Sequence, residues 1–269
     1  MPKPEASRKV LVVGGGCGGL QTAITASDRG HQVILCEKAG VLGGLINFTD
    51  HTDHKVDIRN FKNLLIRDVE KRPIEVRLNC EVTPELIREI APEAVVLAVG
   101  SDDLILSIEG IENAVTAMDV YSNDFAGLGK STIVLGGGLV GCEAAADYID
   151  HGVETMIVEM KGALMPETTG LYRTAVHDFI DKNGGKYEVN AKVIKVGKDF
   201  IVAEQNGTEI TIKADSVVNA MGRRAHATEA LETAIKEAGI PVWKIGDCVR
   251  ARQIGDAVRE GWTAAMEII

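Results

Sequence analysis

The sequence predicts an α/β protein made of two similar parallel-sheet domains, the second inserted in the first. Residues 10–38 read as a hydrophobic strand, a glycine-rich turn, a helix and a second strand. The same pattern returns without a gap at residues 132–160. A continuous apolar run at 94–99 ends at Gly100, as expected for a strand buried on both faces of a parallel sheet, and residues 216–222 repeat this pattern of a buried strand followed by glycine. The predicted fold class is therefore α/β with two Rossmann-like dinucleotide-binding domains.

The glycines of the first turn have the spacing of a dinucleotide-binding loop. Gly14, Gly16 and Gly19 follow the pattern G-x-G-x-x-G. The first glycine permits a tight turn, the second lets the backbone approach a pyrophosphate, and the third lets the helix and strand pack closely. The pyrophosphate would lie at the helix N-terminus, whose free N–H groups favour an anion. Glu37, at the end of the second strand, is a candidate acceptor for both hydroxyls of an adenosine ribose.

The second copy repeats each of these features. Gly136, Gly138 and Gly141 take the places of the three glycines, and Glu159 takes the place of Glu37. A single glycine motif arises by chance in many chains, but chance is a remote explanation for two complete copies in register. The two loops predict two bound dinucleotides.

The remaining segments complete the two domains. We expect an amphipathic helix at 57–72, a strand at 75–78, and a short helix that begins at Thr83-Pro84 with an N-cap and an N1 proline. The later predicted elements are a helix at 168–182, short strands from 186 to 213 with a hairpin turn at Asn206-Gly207, a helix at 228–237, a strand at 242–245 and a closing helix at 254–268. Residues 101–130 have no strong period and are interpreted as a crossing between the domains.

Length and charge exclude several classes of function. At 269 residues the chain is long enough for two domains that each bury a core. The net charge of −10 and the lack of a Lys/Arg run argue against a nucleic-acid partner and against docking on an anionic membrane. No apolar segment approaches the roughly 18 residues of a membrane-spanning helix, and residues 1–7 lack the apolar centre of a signal peptide. We therefore expect a cytoplasmic location, and the sequence is compatible with a homo-oligomer.

The five cysteines and the histidines do not form a recognisable metal or redox motif. No two cysteines have C-x-x-C spacing, so a disulfide framework, a zinc ribbon and an iron–sulfur cluster are not indicated, and each cysteine is interpreted as a small buried residue. Residues 50–54, Asp-His-Thr-Asp-His, are interpreted as a solvated loop because no third, distant ligand accompanies them, and we expect no metal. Nucleophile-elbow and P-loop motifs are missing, which argues against hydrolases and kinases.

A family resemblance emerges when these pieces are joined to Leu42-Gly43-Gly44, Ala98-Val99-Gly100, Ala220-Met221-Gly222 and Ile245-Gly246-Asp247. Together they resemble the flavoproteins that bind two dinucleotides in a glutathione-reductase-like fold. Three sequence segments most resemble the FAD/NADH portion of old-yellow-enzyme-type enoate and 2,4-dienoyl-CoA reductases. They are CEKAGVLGGLINF, VLGGGLVGCEAA and IGDCVRARQIGDAVREG. The likeness covers nearly all of this chain, but only the C-terminal part of the long family members. Those members begin with an FMN-binding barrel and a four-cysteine iron–sulfur linker, which these residues do not include.

The resemblance implies a set of cofactor-binding residues. For FAD they are Gly14, Gly16, Gly19, Glu37, Lys38, Gly43, Gly44, Val82, Ala98, Gly100, Gly246 and Asp247. For NADH they are Gly136, Gly138, Leu139, Val140, Gly141, Glu159, Ala220 and Gly222. Glu159 should accept from the ribose 2′-OH and repel a 2′-phosphate, so NADH is expected over NADPH, although Lys161 nearby could soften that preference. Glu143 is the candidate near the nicotinamide; an ordinary acid on the helix surface is an equal alternative.

The resemblance also implies a function and a division of the chain. We expect an FAD-binding domain at 1–106 and 223–269, and an NADH-binding domain at 107–222. The expected activity is hydride transfer from NADH to FAD and onward electron transfer to an FMN or iron–sulfur partner that reduces an activated C=C bond. Because the chain lacks the cysteine pair of disulfide reductases, the electrons should leave the flavin for another acceptor. The alternatives are a stand-alone NADH dehydrogenase or oxidase and a non-catalytic dinucleotide-binding subunit, the latter suggested by departures from the family pattern at Cys17, Val99 and the crossing at 101–110.

Overall fold

The computed structural model describes residues 3–168 and 170–269. Its strands are β1 Lys9–Val13, β2 Gln32–Cys36, β3 Ile74–Arg77, β4 Ala94–Leu97, β5 Ser101–Asp103, β6 Val115–Thr116, β7 Ser131–Leu135, β8 Glu154–Val158, β9 Lys186–Glu188, β10 Ala191–Val196, β11 Phe200–Gln205, β12 Thr208–Lys213, β13 Ser216–Asn219, β14 Arg223–Ala225 and β15 Val242–Lys244. Its α-helices are α1 Cys17–Asp28, α2 Val56–Glu70, α3 Pro84–Ile90, α4 Ala117–Ser122, α5 Leu139–Asp150, α6 Gly170–Lys182, α7 Glu229–Glu237 and α8 Ile254–Glu267.

The described residues divide into two compact units. The first unit contains the residues up to Asp102 together with Arg224–Ile269, and the second unit is Asp103–Arg223. The chain thus leaves the first unit once and returns to it, so that the second unit is an insertion. The insertion, together with the parallel sheet in each unit, confirms the predicted α/β fold class.

The first unit is built on a five-stranded parallel sheet in the order β15-β4-β1-β2-β3. One face packs against α1, α2 and α8 through residues such as Leu20, Leu65 and Ala264, all of them buried. The other face packs against α3 and α7 through Ile87 and Ile235. Because both faces are covered, β1 and β4 are apolar at nearly every position, as the sequence predicted.

The second unit has a similar sheet in the order β6-β13-β7-β8-β9, also parallel. It adds a three-stranded antiparallel sheet, β10-β11-β12, which packs its buried residues with those of β7 and β13 in one core. The hairpin between β11 and β12 turns at Asn206 (φ 52°) and Gly207 (φ 76°), which confirms the predicted turn.

The internal repeat extends further than the glycine turns. Val10 pairs with Ala94 in the first sheet, and the equivalent Thr132 pairs with Ser216 in the second. Thus β1, β2 and β4 match β7, β8 and β13 at one constant spacing along the chain. The units differ before the matching β4 and β13, where the first contains α3 and the second contains the antiparallel sheet. The three central strands of each sheet are therefore copies of one another, whereas the edge strands come from parts of the chain that do not follow this spacing.

Several predicted elements are confirmed with small shifts in their ends. The Thr83 side chain caps α3 by accepting from the N–H of Leu86 at 3.3 Å. The predicted helix at 168–182 is α6, which begins at Gly170 in the described residues; Thr169 lies outside them. The predicted crossing at 101–130 is more ordered than expected, because it contains α4 with a capping box between Thr116 and Asp119.

The prediction of a solvated loop at 50–54 is wrong in part. Residues Gly44–His51 form a 3-10 helix, and Thr52 is buried. Asp50 forms an ion pair with a buried lysine, Lys62. Among residues 3–168 and 170–269, no group of three or more His, Cys, Asp or Glu side chains is placed to hold a metal ion. In the same residues, none of the helices combines the length and apolarity needed to cross a membrane.

Candidate functional site

The glycine turn between β1 and α1 has little room for side chains at its outer glycines and free space at its middle one. A Cβ on Gly14, whose φ is 106°, would collide with the carbonyl oxygen of Ala98, and a Cβ on Gly19 would collide with that of Gly14. At Gly16, by contrast, no other part of the described chain lies within 4 Å of an added Cβ. The turn therefore leaves an open position at the N-terminus of α1, where the sequence places a pyrophosphate.

The Glu37 carboxylate is fixed by two backbone N–H groups. Its Oε2 accepts from Gly15 at 2.6 Å and its Oε1 accepts from Ala39 at 2.7 Å. The residue is 7% exposed. Each oxygen retains a lone pair with which to accept from a ribose hydroxyl. The first of these bonds also ties the end of β2 to the glycine turn, a structural role that the sequence analysis did not predict.

The Gly43-Gly44 pair closes onto the same turn. Gly43 (φ 113°) donates its N–H to the Gly15 carbonyl at 2.9 Å. Gly44 (φ 57°) lies so close to Gly16 that a Cβ on it would be 2.9 Å from the Gly16 Cα. Both positive φ values favour glycine, and the close approach excludes a side chain at Gly44.

Asp247 lies in a 3-10 turn, Gly246–Cys248, shortly before α8. It is half-buried, and its carboxylate accepts from the Ser101 hydroxyl at 3.1 Å and from the Arg252 N–H at 3.3 Å. Gly246 (φ 67°) donates its N–H to Glu260 of α8 at 2.7 Å. The turn is thus anchored to α8, and the bonds from Ser101 and Arg252 fix the direction of the Asp247 side chain.

These pieces surround one cavity of about 530 Å³ within the first unit. All of the predicted FAD residues line it except Gly19, which is packed against Gly14 beneath the turn. The lining residues that were not predicted include Cys80, Asp102, His226, Arg252, Gln253 and Ile254. Among them, His226 Nδ1 lies 3.0 Å from Asp102 Oδ2, close enough to donate a hydrogen bond to that carboxylate. The cavity therefore draws on both separate stretches of the first unit.

Three of the lining residues are cysteines. Burial raises the pKa of Cys17 to about 11. Burial, together with a hydrogen bond to Cys80, raises the pKa of Cys36 to about 12. The sequence gives no sign of this pairing, because Cys36 ends β2 whereas Cys80 lies far along the chain, in the loop that follows β3. Protonated thiols are poor nucleophiles, so Cys17 and Cys36 behave as the small buried residues that the sequence predicted.

The second glycine turn, between β7 and α5, has the same geometry. A Cβ on Gly136 (φ 102°) would be 2.7 Å from the Ala220 carbonyl oxygen, and one on Gly141 would collide with that of Gly136. An added Cβ on Gly138 would again have no other atom of the described residues within 4 Å. The duplication thus reproduces the open position as well as the two crowded ones.

Glu159 is held as Glu37 is. Its Oε2 accepts from the Gly137 N–H at 2.6 Å and its Oε1 accepts from the Lys161 N–H at 2.6 Å. It is likewise 7% exposed. The Lys161 ammonium is directed to Glu167, with Nζ 3.0 Å from Oε1.

The two turns differ where the first has its Gly43-Gly44 pair. Met165 occupies the position equivalent to Gly43 and donates its N–H to the Gly137 carbonyl at 2.7 Å. It is 1% exposed and adopts a positive φ of 47°. A buried methionine side chain therefore fills a place that the first unit leaves to glycine backbone.

Glu143, the candidate near the nicotinamide, lies on α5 and is half-buried. The Tyr172 hydroxyl, from the first turn of α6, donates to Glu143 Oε1. Tyr172 was not among the predicted site residues. The function of Glu143 stays a prediction, but its carboxylate is oriented by a specific partner.

The two turns fit dinucleotides. Each combines an open backbone position at a helix N-terminus, suited to a pyrophosphate, with a fixed and buried carboxylate at the end of the neighbouring strand, suited to a ribose. A fold with two such sites on duplicated parallel sheets defines the class of proteins that bind two dinucleotides. Residues 8–261 match the family model described as "Pyridine nucleotide-disulphide oxidoreductase", and the chain belongs to that family. The predicted cofactor pair, FAD and NADH, is confirmed by this membership, and the chain is an oxidoreductase module.

Comparison with individual proteins shows which members of the family the chain is similar to. The chain is 33% identical over 271 residues to an NADH oxidase of Thermoanaerobacter brockii, covering 97% of this chain and 41% of the relative. It is 36% identical over 226 residues to a cinnamate reductase of Clostridium sporogenes, covering 82% of this chain and 34% of the relative. A solved structure of a 2-naphthoyl-CoA reductase complex superposes with a TM-score of 0.91 at 26% identity, covering 99% of this chain and 41% of that one. The predicted resemblance to enoate-type reductases is confirmed, and the chain spans about two fifths or less of these relatives.

Proposed function

We propose that the first unit binds FAD, that the second unit binds NADH, and that the chain delivers reducing equivalents from NADH to FAD. The observation that carries this proposal is the duplicated turn with one difference between its copies. Both copies have the open glycine and the fixed acid, whereas the first adds Gly43-Gly44 and Asp247 around a large cavity. When bound, FAD supplies a flavin N5 that accepts a hydride from the nicotinamide of NADH. The proposed bounds are 1–106 with 223–269 for the FAD domain and 107–222 for the NADH domain.

The proposed roles in the first unit follow from the geometry. Gly16 leaves space for the pyrophosphate and Glu37 accepts from the ribose. The half-buried Asp247 presents a carboxylate to the ribityl chain, with its direction set by Ser101 and Arg252. The other residues proposed to contact FAD are Gly14, Gly19, Lys38, Gly43, Gly44, Val82, Ala98, Gly100 and Gly246.

The proposed roles in the second unit concern affinity for the nicotinamide cofactor. Glu159 accepts from the 2′-OH of NADH and disfavours the 2′-phosphate of NADPH, because a fixed carboxylate repels a phosphate. The Lys161 ammonium forms an ion pair with Glu167, and this pairing favours the preference for NADH over NADPH. Glu143 contacts the nicotinamide end. The remaining proposed contacts are Gly136, Gly138, Leu139, Val140, Gly141, Ala220 and Gly222.

We further propose that the electrons pass on to an FMN or iron–sulfur partner that reduces an activated C=C bond. Two considerations support this acceptor. The relatives include proteins named cinnamate reductase and 2-naphthoyl-CoA reductase, of which this chain spans only a part. In addition, Cys17 and Cys36, which line the cavity, have raised pKa values and so are poorly suited to thiol chemistry. A cytoplasmic location is part of this proposal, since the five cysteines are free.

A second candidate function is that of a stand-alone NADH oxidase. The observation that favours it is the 33% identity to the protein of that name from Thermoanaerobacter brockii. The same residues would bind both cofactors in either case. The two functions differ in the acceptor, which is oxygen for an oxidase and a protein-bound group for the electron-input module.

One experiment tests the proposal and separates the two candidates. The FAD-loaded chain is mixed with NADH without oxygen, and the visible flavin absorption should disappear. Air is then admitted, and NADH consumption is followed with and without an artificial one-electron acceptor. Slow consumption in air and fast consumption with the acceptor support the electron-input module, whereas equally fast consumption in air supports the oxidase. A flavin that stays yellow under excess NADH contradicts both.

A further inference from the structure

Lys62 is a buried lysine in a helical stripe that is otherwise apolar. It shares the buried side of α2 with Leu65 and Val69 and is only 3% exposed. Lysine is almost never buried to this degree unless it is paired. A leucine at the same position would complete the stripe without the desolvation cost of an ammonium group. This cost points to a role for Lys62 that an apolar side chain would not fulfil.

The contacts of Lys62 join the two ends of one segment. Its Nζ donates to Asp50 Oδ2 at 2.5 Å, and Asp50 lies near the end of the 3-10 helix Gly44–His51. Its aliphatic stem lies against the beginning of that segment, since a Cβ on Gly43 would be 3.0 Å from the Lys62 Cδ. Lys62 therefore contacts Gly43 through its stem and Asp50 through its charge.

The segment between these two contacts forms part of the cavity wall in the first unit. The wall residues of this segment are Gly43, Gly44, Leu45, Ile46 and Asn47. It starts with two positive φ values and continues as an eight-residue 3-10 helix. Such helices rarely exceed three or four residues because their hydrogen bonds have poor geometry. The segment thus depends on packing from outside to keep its conformation.

We propose that Lys62 is a positioning residue for FAD, which holds the Gly43–His51 wall in the shape that receives the flavin end of the cofactor. This inference rests on the proposed function of the first unit. The ion pair with Asp50 sets the end of the wall, and the Lys62 stem supports its start. Pre-forming the wall spares FAD the entropic cost of ordering it, which raises affinity.

The decisive variant is Lys62→Leu, compared with Lys71→Leu at the exposed C-terminus of the same helix. We expect Lys62→Leu to keep the free energy of unfolding of the FAD-free chain at or above that of the wild type, because a buried charge is replaced by an apolar group. Its dissociation constant for FAD should rise at least tenfold, and amide hydrogen exchange in residues 43–51 should accelerate. Lys71→Leu should leave both the dissociation constant for FAD and the hydrogen exchange in residues 43–51 unchanged.

A second pair of variants separates positioning from simple stability. Asp50→Asn leaves the buried ammonium without its carboxylate, so it should lower both stability and FAD affinity. The double variant Asp50→Asn/Lys62→Leu should recover the stability but not the affinity. Lys62→Met replaces Lys62→Leu if the latter does not fold.

The outcomes are distinguishable from those of the proposed function. If wild-type chain binds FAD and Lys62→Leu binds it equally tightly, the positioning role is overturned and the proposed function stands. If FAD affinity falls only in proportion to stability across all the variants, Lys62 is merely structural. If the wild-type chain binds no FAD, the proposed function fails and the role of Lys62 fails with it.

Discussion

Glu37 accepts a hydrogen bond from the backbone N–H of Gly15 at 2.6 Å. The equivalent pair in the second unit, Glu159 and Gly137, has the same distance. In both units the acid at the end of the second strand is therefore part of the glycine turn as well as a candidate ribose ligand. One carboxylate links the two halves of the proposed binding site, which explains why the acid and the glycines recur together in both copies.

Gly16→Ala should separate cofactor binding from folding. The backbone there has φ −76°, which alanine tolerates, and the added methyl would enter the open position proposed for the pyrophosphate. We expect FAD affinity to fall at least tenfold, while stability changes by less than about 1 kcal/mol, the scale of N-cap effects. FAD fluorescence titration and urea denaturation measure the two quantities.

Gly14→Ala is the contrasting variant, because its positive φ and its clash with Ala98 should destabilise the fold by more than about 1 kcal/mol. Unchanged FAD affinity in Gly16→Ala would place the pyrophosphate elsewhere.

Gly138→Ala is the matched change in the second unit. Its Cβ would also enter open space, so NADH affinity should fall at least tenfold while FAD affinity stays as in the wild type. Isothermal titration of the FAD-free chain, with NADH and separately with FAD, checks this. A loss of FAD affinity in Gly138→Ala, or of NADH affinity in Gly16→Ala, would contradict the assignment of one cofactor to each unit.

Glu159→Gln should weaken the preference for NADH over NADPH. The substitution removes the charge that repels a 2′-phosphate and also exchanges one acceptor oxygen for a donor group, which loses a bond to Gly137 or Lys161. We expect the ratio of kcat/KM for NADH to that for NADPH to fall by about tenfold, equal to about 1.4 kcal/mol. Glu37→Gln is the control, since it should weaken FAD binding and leave that ratio unchanged. An unchanged ratio in Glu159→Gln would remove this residue from cofactor selection.

Tyr121→Phe should destabilise the second unit without touching either turn. The Tyr121 hydroxyl donates to Asp147, and both residues are buried, at 2% and 1% exposure. Removing a donor from a buried carboxylate costs about 1–3 kcal/mol. Urea denaturation measures this, with the half-exposed Tyr187→Phe as the control. Equal stability of the two variants would mean that the Tyr121–Asp147 bond contributes nothing net.

Glu232 on α7 should make stability sensitive to acid. The Thr228 hydroxyl, followed by the Lys244 ammonium, lowers the pKa of its carboxyl to about 2, from a usual value of 4.5. Because the folded-state pKa is depressed, the stabilisation is present above pH 4.5 and is lost as the pH falls toward 2. Glu232→Gln should therefore be less stable than the wild type at pH 7, and the difference should shrink across that window. Glu237→Gln, at the exposed end of the same helix, is the control for urea denaturation at several pH values. A difference that does not depend on pH would contradict the ion-pair account.

Much of the site could be predicted from the sequence because the glycine turns are local. Gly14, Gly16 and Glu37 lie within one strand–helix–strand unit, where spacing along the chain determines position in space. The strand β4 could be predicted because burial on both faces leaves a continuous apolar run, and β13 could be predicted because it repeats the pattern of a buried strand followed by glycine.

The remaining features depend on contacts between distant parts of the chain. Lys62 reads as a break in the apolar stripe of α2, and only its contact with Asp50 reveals a partner. Cys36 and Cys80 meet because β2 and β3 are neighbours and Cys80 lies in the loop that follows β3. Periodicity and spacing along the chain carry no information on such pairings, so the sequence alone does not indicate that these residues are in contact.

The most direct test of the central claim is an anaerobic titration of the FAD-loaded chain with NADH, followed by visible absorption. The account predicts that the flavin band is lost in proportion to added NADH, with an end point at about one NADH per FAD, as hydride transfer between one nicotinamide and one flavin requires. The FAD-loaded Gly138→Ala chain should need a far larger excess of NADH. A wild-type flavin band that persists under excess NADH would contradict the account.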